Sequence, residues 1–246
     1  MPERKLHVKH SPVFHIVVSN CFGEQINREI LLHILSLKEH FKHATVGDGK
    51  VVEDYRNNTV CDLDALYHRP EFVLPNGANN LARIRAYRAQ SSPLLREVDH
   101  LMQKDVPFRN MFETTPYPLC KFPQFNVWQT KVSRYGDENQ FYKWHRDKRN
   151  DDRRLVTFVY YVYGLPKKFT GGEICLTNGL YNGWELVAEG ETVEISPEND
   201  MLVIFGSRTL HMVKPTKSPP DFESGRFSVQ IWAGIRGAGF AANNAF

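Results

Sequence analysis

The second half of this chain is a succession of short strand-like runs separated by turns that are rich in glycine and proline. The runs occupy residues 125–135, 155–163, 173–177, 184–187, 191–195, 201–205 and 226–235. The turns include Gly136-Asp137, Gly164-Leu165-Pro166, Gly171-Gly172 and Pro219-Pro220. Many short strands with such turns are typical of a β-sandwich, a barrel or a jelly roll. This pattern predicts a mainly β core over residues 125–236.

The first 124 residues follow a different pattern, in which apolar side chains recur at helical spacing. One apolar stripe consists of Ile26, Ile30, Ile34 and Leu37. Ser19 and Asn20 precede this stripe as candidate N-caps. We expect residues 1–124 to form a helix-rich support region that packs against one outer face of the β core. The length of 246 residues fits a single domain of this kind.

Two further helices are predicted in the same region. One covers residues 79–90, and the next begins at Ser92-Pro93. A serine that accepts a backbone hydrogen bond, followed by proline at the first helical position, is a common helix start. Residues 115–123 contain three prolines and are interpreted as a connector to the β core.

The composition is that of an ordinary soluble globular protein, with 41% hydrophobic and 24% charged residues. The net charge of +3 is too small to indicate a nucleic-acid partner. The four cysteines, Cys21, Cys61, Cys120 and Cys175, form no C-x-x-C pair, which favours free thiols in a reducing compartment. The chain has no apolar leader and no run of about 18 apolar residues, so we expect a cytoplasmic protein without membrane contacts.

The pattern His145-x-Asp147 is the first candidate for chemistry. Residues two apart in an extended strand point to the same side, so this imidazole and this carboxylate can aim at one point. With a distant histidine they form a 2-His-1-carboxylate triad, which binds Fe(II) and leaves coordination positions open. His211, just past the apolar run 201–205, is the candidate third ligand. The alternative for each histidine is a hydrogen-bonded side chain near the core.

The last strand-like run alternates polar and apolar residues. One face carries Arg226, Ser228, Gln230 and Trp232, and the other carries Phe227, Val229 and Ile231. An arginine inside a barrel needs an anion partner, and a dicarboxylate supplies one because guanidinium pairs bidentately with carboxylate. The alternative is that this face points to solvent.

The run from residue 145 to residue 154 is dense in charges of both signs. Its simplest interpretation is a solvated loop between strands. The alternative is a lid that selects a charged substrate. We do not interpret the run as a nucleic-acid site, because acids offset the bases and no series of aromatic side chains follows.

In this order, the features resemble the prolyl-4-hydroxylase-like group of the 2-oxoglutarate/Fe(II) dioxygenase superfamily, over residues 125–235. The resemblance is carried by Tyr135-Gly136, Tyr142-x-x-His145-x-Asp147, Arg154-Leu155-Val156-Thr157, Val159-Tyr160-Tyr161-Val162, Gly171-Gly172-Glu173-Ile174, residues 200–205, His211-x-Val213-x-Pro215, and Arg226 with Trp232. It implies a double-stranded β-helix, or jelly-roll, core with the N-terminal helices outside.

The resemblance also implies a role for individual residues. The iron ligands are His145, Asp147 and His211, and the cosubstrate contacts are Arg226, Tyr161, Tyr135, Thr157 and Ser228. Arg226 pairs with the far carboxylate of 2-oxoglutarate, and Tyr161 donates a hydrogen bond to it. For Tyr135 and Tyr161 the alternative is packing within the barrel. Tyr142, Trp144 and Arg56 are expected on the substrate side, and Trp232 as a wall of the core.

By the same resemblance, the chain uses Fe(II), 2-oxoglutarate and O₂, with ascorbate as a candidate reductant. The expected reaction is hydroxylation of a C–H bond, because Asp147 fills the position that related halogenases leave open for chloride. The expected substrate is a prolyl residue in a protein or peptide. Two alternatives stay open, which are hydroxylation of a free amino acid or small metabolite, and a non-catalytic jelly-roll protein that binds a metal or ligand.

Overall fold

The structure is a computed structural model that describes residues 3–46, 49–68, 81–103, 105, 127–147, 154–182 and 186–234. The helices in this part of the chain are α1 (Glu24–Ser36), α2 (Leu63–Leu66), α3 (Leu81–Ser91) and α4 (Pro93–Gln103), with a 3₁₀ turn at Lys38–His40. The strands are β1 (Lys5–Lys9), β2 (His15–Ser19), β3 (Lys42–His43), β4 (Arg56–Asn57), β5 (Thr59–Asp62), β6 (Val127–Tyr135), β7 (Glu138–His145), β8 (Arg154–Val162), β9 (Thr170–Gly171), β10 (Ile174–Thr177), β11 (Leu180–Tyr181), β12 (Leu186–Ala188), β13 (Thr192–Ile195), β14 (Met201–Gly206), β15 (Leu210–Lys217) and β16 (Arg226–Gly234).

Two antiparallel sheets form the body of the protein. The larger sheet has the strand order β1-β2-β14-β8-β16-β6-β5-β3, and the smaller has the order β13-β10-β15-β7-β4, with β9 beside β15. Strands β11 and β12 pair with each other as a separate ribbon. Most neighbours within each sheet are distant in sequence, as in a jelly roll. The predicted fold class, mainly β with flanking helices, is confirmed.

The period-2 alternation of the central strands separates two apolar cores. One core lies between the sheets and includes Val159, Tyr161, Ile174, Leu176, Met201, Val203 and Phe205. The other covers the opposite face of the large sheet, where Phe158, Tyr160, Phe227, Val229 and Ile231 meet Ile30 and Ile34 of α1 and Leu94, Leu95 and Val98 of α4. Each fully buried side chain of this size contributes about 1.5–3 kcal/mol. The helices therefore pack on one outer face of the sheets, as predicted.

The two predicted helix starts have different outcomes. Ser92 caps α4 as predicted, because its Oγ accepts a hydrogen bond from the N–H of Leu95 at 3.2 Å. The prediction of Ser19 and Asn20 as caps is wrong, since α1 begins at Glu24 and Gly23 caps it without a side-chain hydrogen bond. The free N–H groups of Phe22 and Gly23 instead donate to the carboxylate of Asp200. This cap comes from the loop before β14, so no sequence pattern near α1 predicts it.

Residues before position 125 contribute strands as well as helices. Strands β1 and β2 extend the large sheet beyond β14, and β4 forms an edge of the small sheet. Sequence analysis missed most of them because they are short or carry polar side chains on the exposed face, as in β1. The predicted helix over residues 79–90 corresponds to α3, and the predicted connector over 115–123 lies outside the described residues. The single-domain organisation stays a prediction. None of the described helices is long and apolar enough to cross a membrane.

Candidate metal centre

Three side chains with metal-binding atoms meet at the open end of the space between the sheets. His145, Asp147 and His211 offer ligand atoms that all lie within 4.8 Å of one another. Nε2 of His211 is 3.5 Å from Oδ2 of Asp147, and Nε2 of His145 is 3.9 Å from Oδ1 of Asp147. Two imidazoles and one carboxylate at this spacing are the ligand set of a facial triad.

The local backbone explains why these three side chains converge. His145 is the last residue of β7, Asp147 lies two residues beyond it, and His211 is the second residue of β15. The two histidines are register partners across β7 and β15. His211 thus belongs to the strand after the apolar run, whereas the sequence suggested a position just past that run. The pairing brings the distant ligand to the His-x-Asp pattern.

A β-bulge in β7 adjusts the direction of His145. His211 and Val213, two residues apart on β15, pair with His145 and Tyr142, three residues apart on β7. An extra residue of this kind reverses the normal alternation, so Tyr142 and His145 lie on the same side. Their rings stack with centroids 3.4 Å apart. The stack fixes the plane of a candidate metal ligand.

Hydrogen bonds behind the ligands orient them toward a common point. Nδ1 of His145 lies 2.8 Å from the carbonyl oxygen of Lys143, and Nδ1 of His211 lies 2.9 Å from that of Thr209. When each Nδ1 carries the hydrogen and donates it, each Nε2 keeps a lone pair for a metal, as is usual for metal-binding histidines. The carboxylate of Asp147 accepts a hydrogen bond from Thr157 at 2.8 Å.

The electrostatics of the cluster favour metal binding. Burial lowers the pKa of His145 well below its usual value, and the neighbouring His211 lowers it further. The hydrogen bond to the Lys143 carbonyl opposes this shift but does not reverse it. His145 is therefore a neutral imidazole at physiological pH, which is the form that binds a metal.

Arg226 lies deeper between the sheets and is 1% exposed. Its guanidinium carbon is 4.8 Å from the ring centroids of both Tyr135 and Tyr161. Nη1 donates to Oγ of Ser228 at 3.3 Å, and Gln230 donates to the same oxygen at 2.8 Å. Arg226 therefore faces the interior, and the alternative of a solvent-facing Arg226 is wrong.

The fit of a dicarboxylate here can be judged from the polar atoms that lack partners. Nε of Arg226 and the hydroxyls of Tyr161 and Thr216 are buried, and among the described residues they have no hydrogen-bond partner. Burial raises the pKa of Tyr161 to about 12, although the charge of Arg226 lowers it, so this phenol keeps its proton at neutral pH. A buried cation beside unpaired donors is costly unless an anion completes the site. The donor set fits the far carboxylate of 2-oxoglutarate.

The substrate-side residues form a stack at the mouth of the site. The guanidinium carbon of Arg56 is 4.4 Å from the ring centroid of Tyr142, which in turn covers His145. Trp144 is half-buried, and its carbonyl accepts a hydrogen bond from the Tyr55 hydroxyl. Arg56 and Tyr142 thus lie beside the metal centre. Contact of these residues and of Trp144 with substrate stays a prediction.

Three features of the site were not predicted. Arg154 donates from Nη1 to the backbone carbonyl of Asp147 at 3.1 Å, and its guanidinium carbon is 4.4 Å from the ring centroid of Trp232. Thr157, expected near the cosubstrate, donates to Asp147, and its cosubstrate contact stays a prediction. A Cβ on Gly172 would lie 2.5 Å from Cδ of Arg226, so glycine leaves room for the arginine. The Gly171-Gly172 motif in the sequence could have indicated this close approach.

Comparisons with known proteins agree with this geometry. The family model of the 2OG-Fe(II) oxygenase superfamily matches residues 130–234. An uncharacterised PKHD-type hydroxylase of a Synechocystis species is 32% identical over 235 residues, which cover 94% of this chain and 68% of the relative. The chain belongs to the 2OG-Fe(II) oxygenase superfamily. It is a hydroxylase, and its cofactors are Fe(II) and 2-oxoglutarate, with O₂ as cosubstrate.

Two solved structures of 2OG-Fe(II) oxygenases share the fold. A prolyl hydroxylase from Trichoplax adhaerens, in complex with a peptide of a hypoxia inducible factor, has a TM-score of 0.54 and 19% identity. The match covers 89% of this chain and 83% of that one. A prolyl-4-hydroxylase from Pseudomonas putida has a TM-score of 0.51 and 20% identity, with 91% and 93% coverage. Because the chain belongs to the oxygenase superfamily, the alternative of a non-catalytic jelly-roll protein is no longer supported.

Proposed function

We propose that this oxygenase hydroxylates prolyl residues of a protein or peptide, with His145, Asp147 and His211 as the iron ligands. Arg226 and Tyr161 bind the far carboxylate of 2-oxoglutarate, and Tyr135 lies beside the cosubstrate. The observation that carries the proposal is the convergence of three ligand atoms within 4.8 Å at the mouth of a space whose interior holds a buried arginine. When bound, iron and 2-oxoglutarate supply an oxidative decarboxylation that delivers one oxygen atom to a C–H bond.

The chain's own residues orient the reactants and exclude water. The buried aromatic rings of Tyr135 and Tyr161 flank Arg226, which strengthens its pairing with a carboxylate because the surroundings are poorly solvated. The Thr157 hydroxyl donates to the side-chain carboxylate of Asp147, and Arg154 donates to its backbone carbonyl. Both tyrosine pKa values are raised by burial, so their hydroxyls remain hydrogen-bond donors.

A peptide substrate is supported by an unpaired donor near Asp147. Nε1 of Trp232 is buried and has no hydrogen-bond partner among the described residues. Trp232 is the register partner of Thr157, which contacts Asp147. An indole N–H needs an acceptor when it is buried, and the carbonyl of a peptide bond provides one. The prolyl hydroxylases with the same fold, one of them with a bound peptide, support proline as the target residue.

A free amino acid is the second candidate, because the mouth also carries the guanidinium groups of Arg56 and Arg154. Arginine pairs strongly with carboxylates, and a free amino acid has an α-carboxylate where a peptide has an amide. The two guanidinium groups therefore keep a small anionic substrate as the alternative to a peptide.

Incubation with peptide and amino-acid panels tests the proposal. The enzyme is supplied with Fe(II), 2-oxoglutarate and O₂, and products are measured by mass spectrometry together with succinate. We expect one added oxygen on proline-containing peptides and none on matched peptides with alanine at that position. Addition of oxygen to free amino acids alone would replace the peptide substrate with the second candidate. The Asp147→Ala protein controls for oxidation that does not require the site.

A further inference from the structure

Thr216 is a buried polar residue with no role in the triad or in any predicted contact. It lies on β15 and is 1% exposed. Its hydroxyl has no hydrogen-bond partner within the described part of the chain. A buried hydroxyl without a partner is costly, and such groups in a native fold call for a ligand or another explanation.

A second β-bulge turns Thr216 toward the interior. Val213 and Thr216 are three residues apart on β15, whereas their partners Tyr142 and Gln140 are two apart on β7. Regular alternation would place Val213 and Thr216 on opposite faces, and the extra residue places both on the inner face. Pro215, which directly precedes Thr216, is exposed. The backbone irregularity thus buries a hydroxyl that a regular strand would leave outside.

Thr216 borders the space that Arg226 occupies. A Cβ built on Gly172 would lie 2.9 Å from Oγ1 of Thr216 and 2.9 Å from Nε of Arg226. Both polar atoms therefore lie against Gly172 and close to each other. Gly172 has φ of +74°, a conformation that L residues rarely adopt. The absence of a side chain at Gly172 thus allows these two unpaired donors to lie side by side.

We propose that the Thr216 hydroxyl binds the far carboxylate of 2-oxoglutarate as a further donor beside Arg226 and Tyr161. This inference rests on the proposed function, in which that carboxylate lies against Arg226. A carboxylate accepts several hydrogen bonds at once, so one cation and two hydroxyls can share it. Thr216 is a binding residue that sets the choice of cosubstrate, and it does not touch the metal.

Anaerobic titration of the Fe(II)-loaded protein tests this role without turnover. Binding of 2-oxoglutarate is followed by the visible charge-transfer band of the complex, and 2-oxopentanoate, with a methyl group in place of the far carboxylate, is the comparison ligand. Thr216→Val removes the hydroxyl at nearly constant volume, and Thr216→Ser keeps it. We expect Thr216→Val to raise the Kd of 2-oxoglutarate about 10-fold or more, the effect of a hydrogen bond to a charged group.

The same variant should leave the Kd of 2-oxopentanoate and the affinity for Mn(II) unchanged, and Thr216→Ser should retain wild-type affinity for 2-oxoglutarate. An unchanged Kd of 2-oxoglutarate in Thr216→Val, or an equal loss for both ligands, overturns the inference and leaves the proposed function intact. If Thr216→Val does not fold, Thr216→Ala is measured in its place with the same criteria. Failure of the wild-type protein to bind 2-oxoglutarate overturns the proposed function itself.

Discussion

The hydroxyl of Thr157 donates a hydrogen bond of 2.8 Å to Oδ2 of Asp147. Thr157 has a single hydroxyl proton, so the hydroxyl of Ser207, 3.0 Å away, must be the donor in their contact. Ser207, Thr157 and Asp147 thus form a directed chain that ends at the candidate metal ligand. Thr157 lies on β8, and Ser207 and Asp147 lie within two residues of the ends of β14 and β7, so these hydrogen bonds orient the carboxylate without a metal.

Removing this hydrogen bond should weaken metal binding. Thr157→Val preserves the shape of the side chain and leaves one oxygen of Asp147 without its donor. Changes behind a metal ligand typically lower affinity 10–100-fold, and we expect about a 10-fold rise in the Kd for Mn(II), measured by calorimetry. Thr157→Ser keeps the hydroxyl and should bind as the wild type does. Equal affinities for the valine and serine variants would contradict a positioning role.

Loss of the carboxylate itself should abolish hydroxylation. Asp147→Ala leaves two histidines, and oxygen activation would no longer be coupled to attack on the substrate. We expect no hydroxylated product and a weaker affinity for Fe(II), measured by product mass and by metal titration. The exposed Glu189 offers a control, since Glu189→Ala removes a carboxylate that is not one of the three ligands. Full activity of Asp147→Ala would refute the proposed triad.

The pH dependence of stability should include a contribution from His33. Burial lowers the pKa of His33 below 6.5, so the unfolded chain binds a proton there more tightly than the folded protein does. The free energy of unfolding should therefore fall as the pH drops below about 6.5, because protonation favours the unfolded state. His33→Gln should flatten this slope between pH 7 and pH 5 in urea titrations. His7→Gln, at an exposed position, should keep the wild-type slope, and an unaltered slope in His33→Gln would contradict the prediction.

The start of α4 should be a measurable source of stability. Oγ of Ser92 accepts the N–H of Leu95 and lies 2.8 Å from Nε2 of His33, so it caps one helix and ties it to another. We expect Ser92→Ala to lower the free energy of unfolding by about 1–2 kcal/mol. Ser92→Thr retains a hydroxyl and should recover most of that loss. Chemical denaturation of the three proteins decides this, and a neutral alanine variant would show that the cap is dispensable.

The sequence by itself determined the β-rich second half and the residues of the candidate metal-binding group. Alternation along residues 226–232 and the short apolar runs reflect burial of one face of each strand, which is a local property. The His145-x-Asp147 spacing is also local, because neighbouring residues share one stretch of backbone. The cap at Ser92 follows from contacts within four residues. Such features can be read without knowing which strands pair.

Only the tertiary structure decided how the distant parts meet. The cap of α1 comes from Asp200, 177 residues away from Gly23 in sequence, and the N-terminal strands are stabilised by neighbours that no local pattern reveals. The inward turn of Thr216 depends on a bulge, and a bulge is defined only by the register between two strands. Long-range pairing also places Arg226 and Thr216 beside Gly172. Strand register and close packing therefore decide which residues meet around Arg226. The residue pattern along a single strand cannot predict either of them.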